Sequence, residues 1–138
     1  MRFLILVKAN KNTEAGIMPG EKLIAAMTAF HEELARAGVL LDASGLRPSS
    51  KGWRVRYSGG KRRVVEGPFP ESNDLIAGYT MIQVESREEA LEWSKRFPAP
   101  HGEDMDGEIE VRPFFEMEDF GLRESVERLQ EPELTRKK

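Results

Sequence analysis

His31, one of two histidines in the chain, carries a side chain that could exchange a proton near neutral pH. The ordinary pKa of an imidazole, about 6.5, suits that chemistry. The residue lies at the edge of the apolar stripe of a predicted helix, and Asp42 on the next predicted strand is the carboxylate that could come near it. A histidine at a helix edge more often packs half-buried, and we favour that role.

Glu66 is the second candidate for proton transfer. It stands directly before Gly67-Pro68, and two further carboxylates, Glu71 and Asp74, follow within the next eight residues. A carboxylate on a rigid turn can serve as a general base if burial raises its pKa. It can equally accept backbone N–H bonds and hold the turn. We favour the turn role.

Four residues between positions 101 and 106, namely His101, Glu103, Asp104 and Asp106, could in principle bind a hard cation. Their spacing differs from that of a calcium-binding loop, so we expect a solvated acidic loop and no metal site. The chain has no cysteine, which excludes thiol catalysis and sulfur-ligated zinc. No glycine-rich nucleotide fingerprint is present, and we expect no organic cofactor.

A basic segment spans residues 51–63, where six lysine and arginine side chains alternate with Trp53 and Tyr57. Cations among aromatics are typical of nucleic-acid binding, so a regulatory or nucleic-acid-associated module is the alternative function. However, the chain's net charge is −3, and edge hairpins often carry cations that prevent aggregation. A turn at Gly59-Gly60 would place Tyr57 opposite Arg62 and Trp53 opposite Glu66, so several charges are expected to pair across strands. We therefore do not expect nucleic acid as a partner.

Hydrophobic periodicity predicts the elements that must position these residues. They are strand 2–8, loop 9–20, helix 21–37, strand 39–46, hairpin strands 53–57 and 62–66, strand 77–85, a helix from Ser86 to before Pro98, strand 108–114, and a short helix capped by Asp119 and carrying Leu122, Val126 and Leu129. Without the hairpin the order is βαββαβ, an α+β fold of the ferredoxin-like class. The first apolar run is too short for a signal peptide or a membrane span, so we expect a cytoplasmic protein with no membrane partner.

Two helices can cover only one face of the predicted sheet. Alternation assigns Ile82, Val84, Ile109 and Val111 to the covered face. The opposite face receives Tyr79, Met81, Gln83, Glu110 and Arg112. This face could be the polar floor of a ligand cavity inside a homodimer, or a solvated or dimer-forming surface with a structural ion pair.

Several short motifs together resemble one known family. They are Gly38-Val-Leu-Leu41, Gly45-Leu-Arg-Pro48, Glu66-Gly-Pro-Phe69, Ala77-Gly-Tyr79, Glu89-Ala-Leu-Glu-Trp93 and Glu110-Val-Arg-Pro113. The chain resembles the YCII-related family, and more narrowly its DGPF branch, whose signature here reads Glu-Gly-Pro-Phe. The resemblance covers residues 1–120 and implies a dimeric α/β-barrel, leaving residues 121–138 as a short helix and a charged tail. Some family members are suspected enzymes with a His–Asp pair, but that histidine would fall near Met27, so the pair does not transfer.

These observations favour a homodimer that binds a small molecule and could act on it by acid–base chemistry. The predicted ligand-binding residues are Tyr79, Gln83, Glu110 and Arg112, with Glu66 and His31 at the margin as candidate catalytic residues. Arg112 would anchor an anionic or carbonyl group, and a carboxylate would move a proton.

Overall fold

The computed structural model describes residues 1–70 and 74–121. The strands are β1 (Arg2–Lys8), β2 (Leu40–Gly45), β3 (Trp53–Ser58), β4 (Lys61–Glu66), β5 (Ile76–Gln83) and β6 (Ile109–Pro113). The helices are α1 (Lys11–Glu14), α2 (Glu21–Arg36), α3 (Arg87–Lys95) and α4 (Met117–Phe120), and a 3₁₀ turn spans Ser49–Lys51. Within these residues no helix is long and apolar enough to cross a lipid bilayer.

Four of the strands form one antiparallel sheet in the order β2-β5-β1-β6, and β3 pairs with β4 in a separate hairpin. With the hairpin and the short helices α1 and α4 set aside, the elements follow the order βαββαβ. β1 and β5 are the inner strands of the sheet, and β2 and β6 are its edges. This is the ferredoxin-like arrangement. The predicted α+β fold with an inserted hairpin is confirmed.

The core lies between the sheet and the two long helices, α2 and α3. Alternate residues of β1 and β5, among them Ile5 and Ile82, are fully buried against Phe30 and Leu34 of α2. Ile109 and Val111 of β6 pack at the edge of the same core. The prediction that the purely apolar strand positions face the helices is therefore confirmed.

Local signals set the ends of both helices. α2 ends at Arg36, and Gly38 follows with a φ of 73°, in the left-handed region that glycine adopts without strain. The side chain of Ser86 accepts a hydrogen bond from the backbone N–H of Glu89 and so caps α3. The rings of Trp93, within α3, and Phe97, two residues after its end, both meet the ring of Phe30 edge to face.

The hairpin turns at Gly59 and Gly60, whose φ angles of 57° and 76° both lie in the left-handed region. Two-residue turns of this kind match the twist of the flanking strands. The register places Tyr57 opposite Arg62 and Trp53 opposite Glu66, as predicted. Nearly every residue of β3 and β4 is exposed, so the hairpin projects from the domain.

Two details differ from the sequence prediction. The predicted loop 9–20 contains the short helix α1, because Asn10 and Thr13 form a reciprocal capping box at its start. The predicted strand 39–46 is β2, Leu40–Gly45, and its pairing with β5 shifts between Leu40 and Asp42.

Near the end of the described chain, Asp119 lies within α4 and helps cap that helix through the backbone N–H of Glu116. α4 ends at Phe120, and Gly121 follows as its C-cap with a φ of 67°. The predicted helix positions Leu122, Val126 and Leu129 lie outside the described residues.

Candidate functional site

The sheet face opposite the helices carries two rows of side chains that run across the strands. Because residues directly opposite in an antiparallel pair share a face, the register defines each row. One row contains Ser44, Tyr79, Leu6 and Glu110, and the next contains Asp42, Met81, Leu4 and Arg112. The four central side chains, Leu4, Leu6, Tyr79 and Met81, are only half-buried. None of the four belongs to the hydrophobic core of the described residues, so we call this side of the sheet the uncovered face.

On the β2 side of this uncovered face, two residues form a polar pair. The Tyr79 hydroxyl donates a hydrogen bond to Oδ2 of Asp42 at 2.8 Å. The other carboxylate oxygen of Asp42 accepts the backbone N–H of Ala43 at 2.8 Å, which fixes its orientation. The Tyr79 oxygen keeps lone pairs that can accept a hydrogen bond from a ligand. The pair can therefore hold or receive a proton at this edge.

On the β6 side, three charged residues form a second polar group. Arg112 donates to Glu110 at 3.2 Å, and Nζ of Lys8 lies 3.3 Å from the other oxygen of the same carboxylate. These hydrogen bonds and the charge of Lys8 hold the pKa of Glu110 below its ordinary value. Two cations surround one carboxylate, so the group carries a net positive charge. It favours an anionic ligand, and the remaining N–H donors of Arg112 can bind it.

All four predicted ligand-binding residues lie on this one face. Tyr79 and Glu110 flank Leu6 in one row, and Arg112 occupies the next. Gln83 lies two residues beyond Met81 on β5, in the third row, opposite Arg2 of β1, and its side chain is exposed. The structure therefore brings these residues together, and their role in binding stays a prediction.

His31 lies on the other side of the sheet. Its Nδ1 is 2.7 Å from the carbonyl oxygen of Met27, so this nitrogen carries the proton. In the neutral imidazole Nε2 then accepts a hydrogen bond from the hydroxyl of Thr80, at 2.8 Å. The expected approach of His31 to Asp42 is wrong, because Asp42 pairs with Tyr79 on the opposite face. A bulge in β2 causes this, by leaving Leu41 unpaired and turning Asp42 to the uncovered side.

Glu66 ends β4 at the base of the hairpin and is exposed. Among the described residues, no side chain or backbone group forms a hydrogen bond or an ion pair with its carboxylate. The turn is instead held by the residues that follow. The N–H of Gly67 donates to the carbonyl of Gly52, and the N–H of Phe69 donates to the Ser49 hydroxyl.

The segment Glu66-Gly-Pro-Phe69 thus has a structural role in attaching the hairpin. A Cβ on Gly67 would lie 1.8 Å from the Ser49 carbonyl oxygen, so only glycine fits there. The Phe69 ring lies under the guanidinium of Arg54, 3.8 Å from its centroid. Ser49 is tied in turn to the carboxylate of Glu14 in α1. These contacts set the direction in which the hairpin leaves the domain.

The hairpin's charges are arranged differently from the prediction. Arg62 lies over the ring of Tyr57, 5.1 Å from its centroid, and Arg56 lies directly opposite Arg63. Neither arginine of that last pair has a carboxylate partner in the part of the chain that the structure describes. The expected ion pairs across the strands are therefore absent at these positions.

Two residues of the uncovered face, Lys8 and Asp42, were not predicted. Alternation along β1 could have identified Lys8, since it shares parity with Leu4 and Leu6. Asp42 could not be assigned because its orientation depends on the bulge. In the described ranges no group of three or more metal-ligating side chains comes together, and His101 instead contacts the carbonyl of Lys8 at 2.9 Å.

The chain is similar in sequence to known proteins. Residues 1–118 match the YCII-related domain. An uncharacterised protein of Rhizobium meliloti (strain 1021) is 28% identical over 93 residues, which cover 67% of this chain and 73% of that protein.

Among solved structures, the chain resembles 5-chloro-2-hydroxyhydroquinone dehydrochlorinase from Burkholderia phenoliruptrix AC1100 in complex with 2,5-dihydroxybenzoquinone. The identity is 15% and the TM-score is 0.41, over 83% of this chain and 94% of that one. A likeness of this size carries no argument about what the present chain binds. The narrower resemblance to the DGPF branch stays a prediction. Since the match to the YCII-related domain spans nearly the whole described chain, the protein belongs to the YCII-related family.

Proposed function

We propose that the chain forms a homodimer in which the uncovered sheet faces of two copies enclose a chamber for a small anionic molecule. The observation that carries the proposal is the layout of this face. Half-buried apolar side chains occupy its centre, a Tyr–Asp pair one edge and a net positive charge the other. Apolar area of this kind gains free energy when it leaves water, at about 25 cal/mol per Å².

The dimensions of the face limit the ligand. Tyr79 and Glu110 are separated by one strand, so their backbones lie roughly 10 Å apart at the usual strand spacing of about 4.8 Å. A single ring or a short chain fills that distance, with its apolar body over Leu6. We therefore expect a compact molecule with an anionic or carbonyl group at one end and a hydroxyl or acidic C–H at the other.

The two edges would then have different roles in chemistry. Arg112 and Lys8 bind the anionic end, and Glu110 keeps both cations in place while remaining ionised. At the opposite end Asp42 orients the Tyr79 hydroxyl, and the carboxylate can receive a proton that the ligand releases through that hydroxyl. In this proposal Asp42 takes the role of proton acceptor, in place of Glu66 and His31. An enclosed chamber would strengthen each of these interactions by excluding water.

The proposal is tested by calorimetric titration with 4-hydroxybenzoate, a probe with one ring, a carboxylate and a hydroxyl. We expect binding that Arg112→Gln weakens by about tenfold, since a hydrogen bond to a charged group contributes roughly 1.5–3 kcal/mol. Arg87→Gln is the matched control, because Arg87 begins α3 on the helix-covered side and is exposed. An equal loss of affinity in the two variants would contradict the chamber. So would a native protein that does not bind the probe at millimolar concentration.

A further inference from the structure

One face of the projecting hairpin carries four exposed apolar side chains together with Arg62 and Glu66, and the other face is cationic. Trp53, Val55, Tyr57 and Val64 share the first face and are 64, 42, 65 and 60% exposed. On the second face the guanidinium groups of Arg56 and Arg63 stand directly opposite each other. Like charges in that position destabilise a strand pair. A hairpin built this way is stabilised when it meets an anionic, partly apolar surface.

Such a surface exists on the same chain, in the loop before β6. Residues 103–108 contain four carboxylates, no lysine or arginine, and an exposed Met105. None of the four carboxylates forms an ion pair or a hydrogen bond within the described parts of the chain. The hairpin cations and these loop carboxylates are therefore complementary in charge but do not meet within one copy.

The sheet register shows where these two regions lie. Gly45 of β2 is opposite Gly78, which is opposite Val7, which is opposite Ile109 of β6. This row marks one end of the sheet. The hairpin segment leaves that end from the edge strand β2, and the acidic loop enters it at the other edge strand, β6.

A twofold axis parallel to the strands would bring the hairpin of one copy close to the acidic loop of the other. Closing two identical sheets around such an axis places the β6 edge of each copy beside the β2 edge of the other, and it keeps the same ends together. β2 and β6 run in opposite directions, as antiparallel neighbours require. The hairpin of one copy then lies beside the acidic loop of the other.

We propose that the hairpin is an arm that binds a second copy of the chain, with Arg56 and Arg63 pairing with the carboxylates of the partner copy's acidic loop. The inference rests on the homodimer proposed above. The area of the sheet face supports it. Four strands of this length span roughly 20 Å by 20 Å, or about 400 Å², while a stable interface buries roughly 800 Å² on each partner. The arms supply additional contact area.

Nucleic acid is the other occupant that cations among aromatics suggest. The carboxylate-rich loop at the same end of the sheet would repel a phosphate backbone. The net charge of −3 likewise gives no long-range attraction to a polyanion. The charge pattern therefore favours a second copy of this chain.

The experiment is zero-length cross-linking of the full chain with a carbodiimide, which couples an amine to a carboxylate. Lys61 at the hairpin tip is the arm's reactive amine beside Arg62 and Arg63. Chains grown in ¹⁴N and ¹⁵N media are mixed, allowed to exchange and cross-linked. We expect peptides that join Lys61 to residues 103–108, in mixed-isotope as well as single-isotope form. Lys61→Arg is the matched control, since it keeps the charge, removes the amine and should abolish only the cross-link.

A second measurement uses charge reversal. Arg56→Glu with Arg63→Glu is expected to raise the dimer Kd roughly tenfold, and adding Asp104→Arg with Asp106→Arg should restore it. If the native protein sediments as a dimer but the cross-link is absent or occurs only in single-isotope form, the arm is overturned and the dimer stands. A monomer at micromolar concentration overturns both proposals. Salt-sensitive binding of a single-stranded RNA oligonucleotide, lost on charge reversal while the dimer Kd is unchanged, would assign the arm to nucleic acid and also overturn the inference.

Discussion

The two faces of the four-stranded sheet are built from the same strands but treat polar groups differently. On the covered face the buried polar residue is Thr80, 2% exposed, and its hydroxyl is used by His31. Both nitrogens of His31 are engaged. On the uncovered face Tyr79, Asp42, Glu110 and Arg112 pair at the margins and keep further donors and acceptors open to solvent.

This difference separates structural from chemical candidates. A histidine whose two nitrogens are occupied by a backbone carbonyl and a buried hydroxyl has no position left for a ligand. A Tyr–Asp pair beside an apolar centre does. The residue type that suggests catalysis most strongly, histidine, therefore lies on the side where the fold uses it for packing. The less obvious residues lie where a ligand could reach.

The largest expected effect is on the covered face. Ile82→Ala removes a fully buried side chain and should lower the free energy of unfolding by about 2–5 kcal/mol. Urea denaturation followed by circular dichroism measures the loss. Ile24→Ala, on the exposed side of α2, is the control and should change stability by less than about 0.5 kcal/mol. Equal losses in the two variants would mean that the core is placed incorrectly.

The second effect concerns the His31–Thr80 hydrogen bond. Thr80→Val keeps the side-chain shape but leaves Nε2 of His31 without its donor, at a cost of about 1–3 kcal/mol. Probe binding should be unchanged, because the pair lies behind the sheet. Thr28→Val, at an exposed position of α2, controls for the substitution itself. Weakened probe binding with unchanged stability would show that His31 contributes to the binding site, and the two faces would then not differ in the way described.

A smaller effect is expected at the Tyr–Asp pair. Tyr79→Phe removes the hydroxyl that Asp42 accepts, and stability should fall by about 1 kcal/mol or less because the bond is exposed. Affinity for 4-hydroxybenzoate should fall, whereas affinity for benzoate, which lacks the hydroxyl, should stay the same. Calorimetric titration of both probes separates these outcomes. A parallel loss for the two probes would show that Tyr79 contributes only packing.

The smallest effect is the pH dependence of Glu110. Its pKa in the folded chain is lowered from 4.5 by Arg112 and Lys8, so it binds a proton less readily when folded. Its stabilising contribution is therefore complete above the unfolded value and is lost as pH falls below 4.5 through the lowered pKa. The stability difference between native protein and Glu110→Gln should shrink between pH 7 and pH 3. A stability difference that grows as the pH falls would contradict the lowered pKa of Glu110.

Local pattern was enough to predict the fold. Alternation along β5 and β6 separated Ile82 and Val111 from Tyr79 and Arg112, because a strand's side chains change face at every residue. The glycine pair fixed the register of the hairpin, because a two-residue turn determines which residues of the two strands lie opposite each other. That register also implies the Arg56–Arg63 opposition, which counting outward from the turn could have revealed.

The site was predicted less completely, since its parts depend on distant pairing. The partner of His31 is Thr80, which follows it by 49 positions and reaches it only when α2 lies on the sheet. The orientation of Asp42 depends on the bulge at Leu41, and a one-residue shift reverses the face of a side chain. Neither relationship has a signal in local spacing.

Sedimentation equilibrium at micromolar concentration tests the central claim most directly, namely that a second copy covers the apolar centre of the uncovered face. The native chain should be a dimer, and Leu6→Glu should be a folded monomer, because it buries a charge in that centre. Leu91→Glu, at an exposed position on α3, should remain a dimer. A native monomer, or a Leu6→Glu variant that dimerises as tightly as the native chain, would contradict the account.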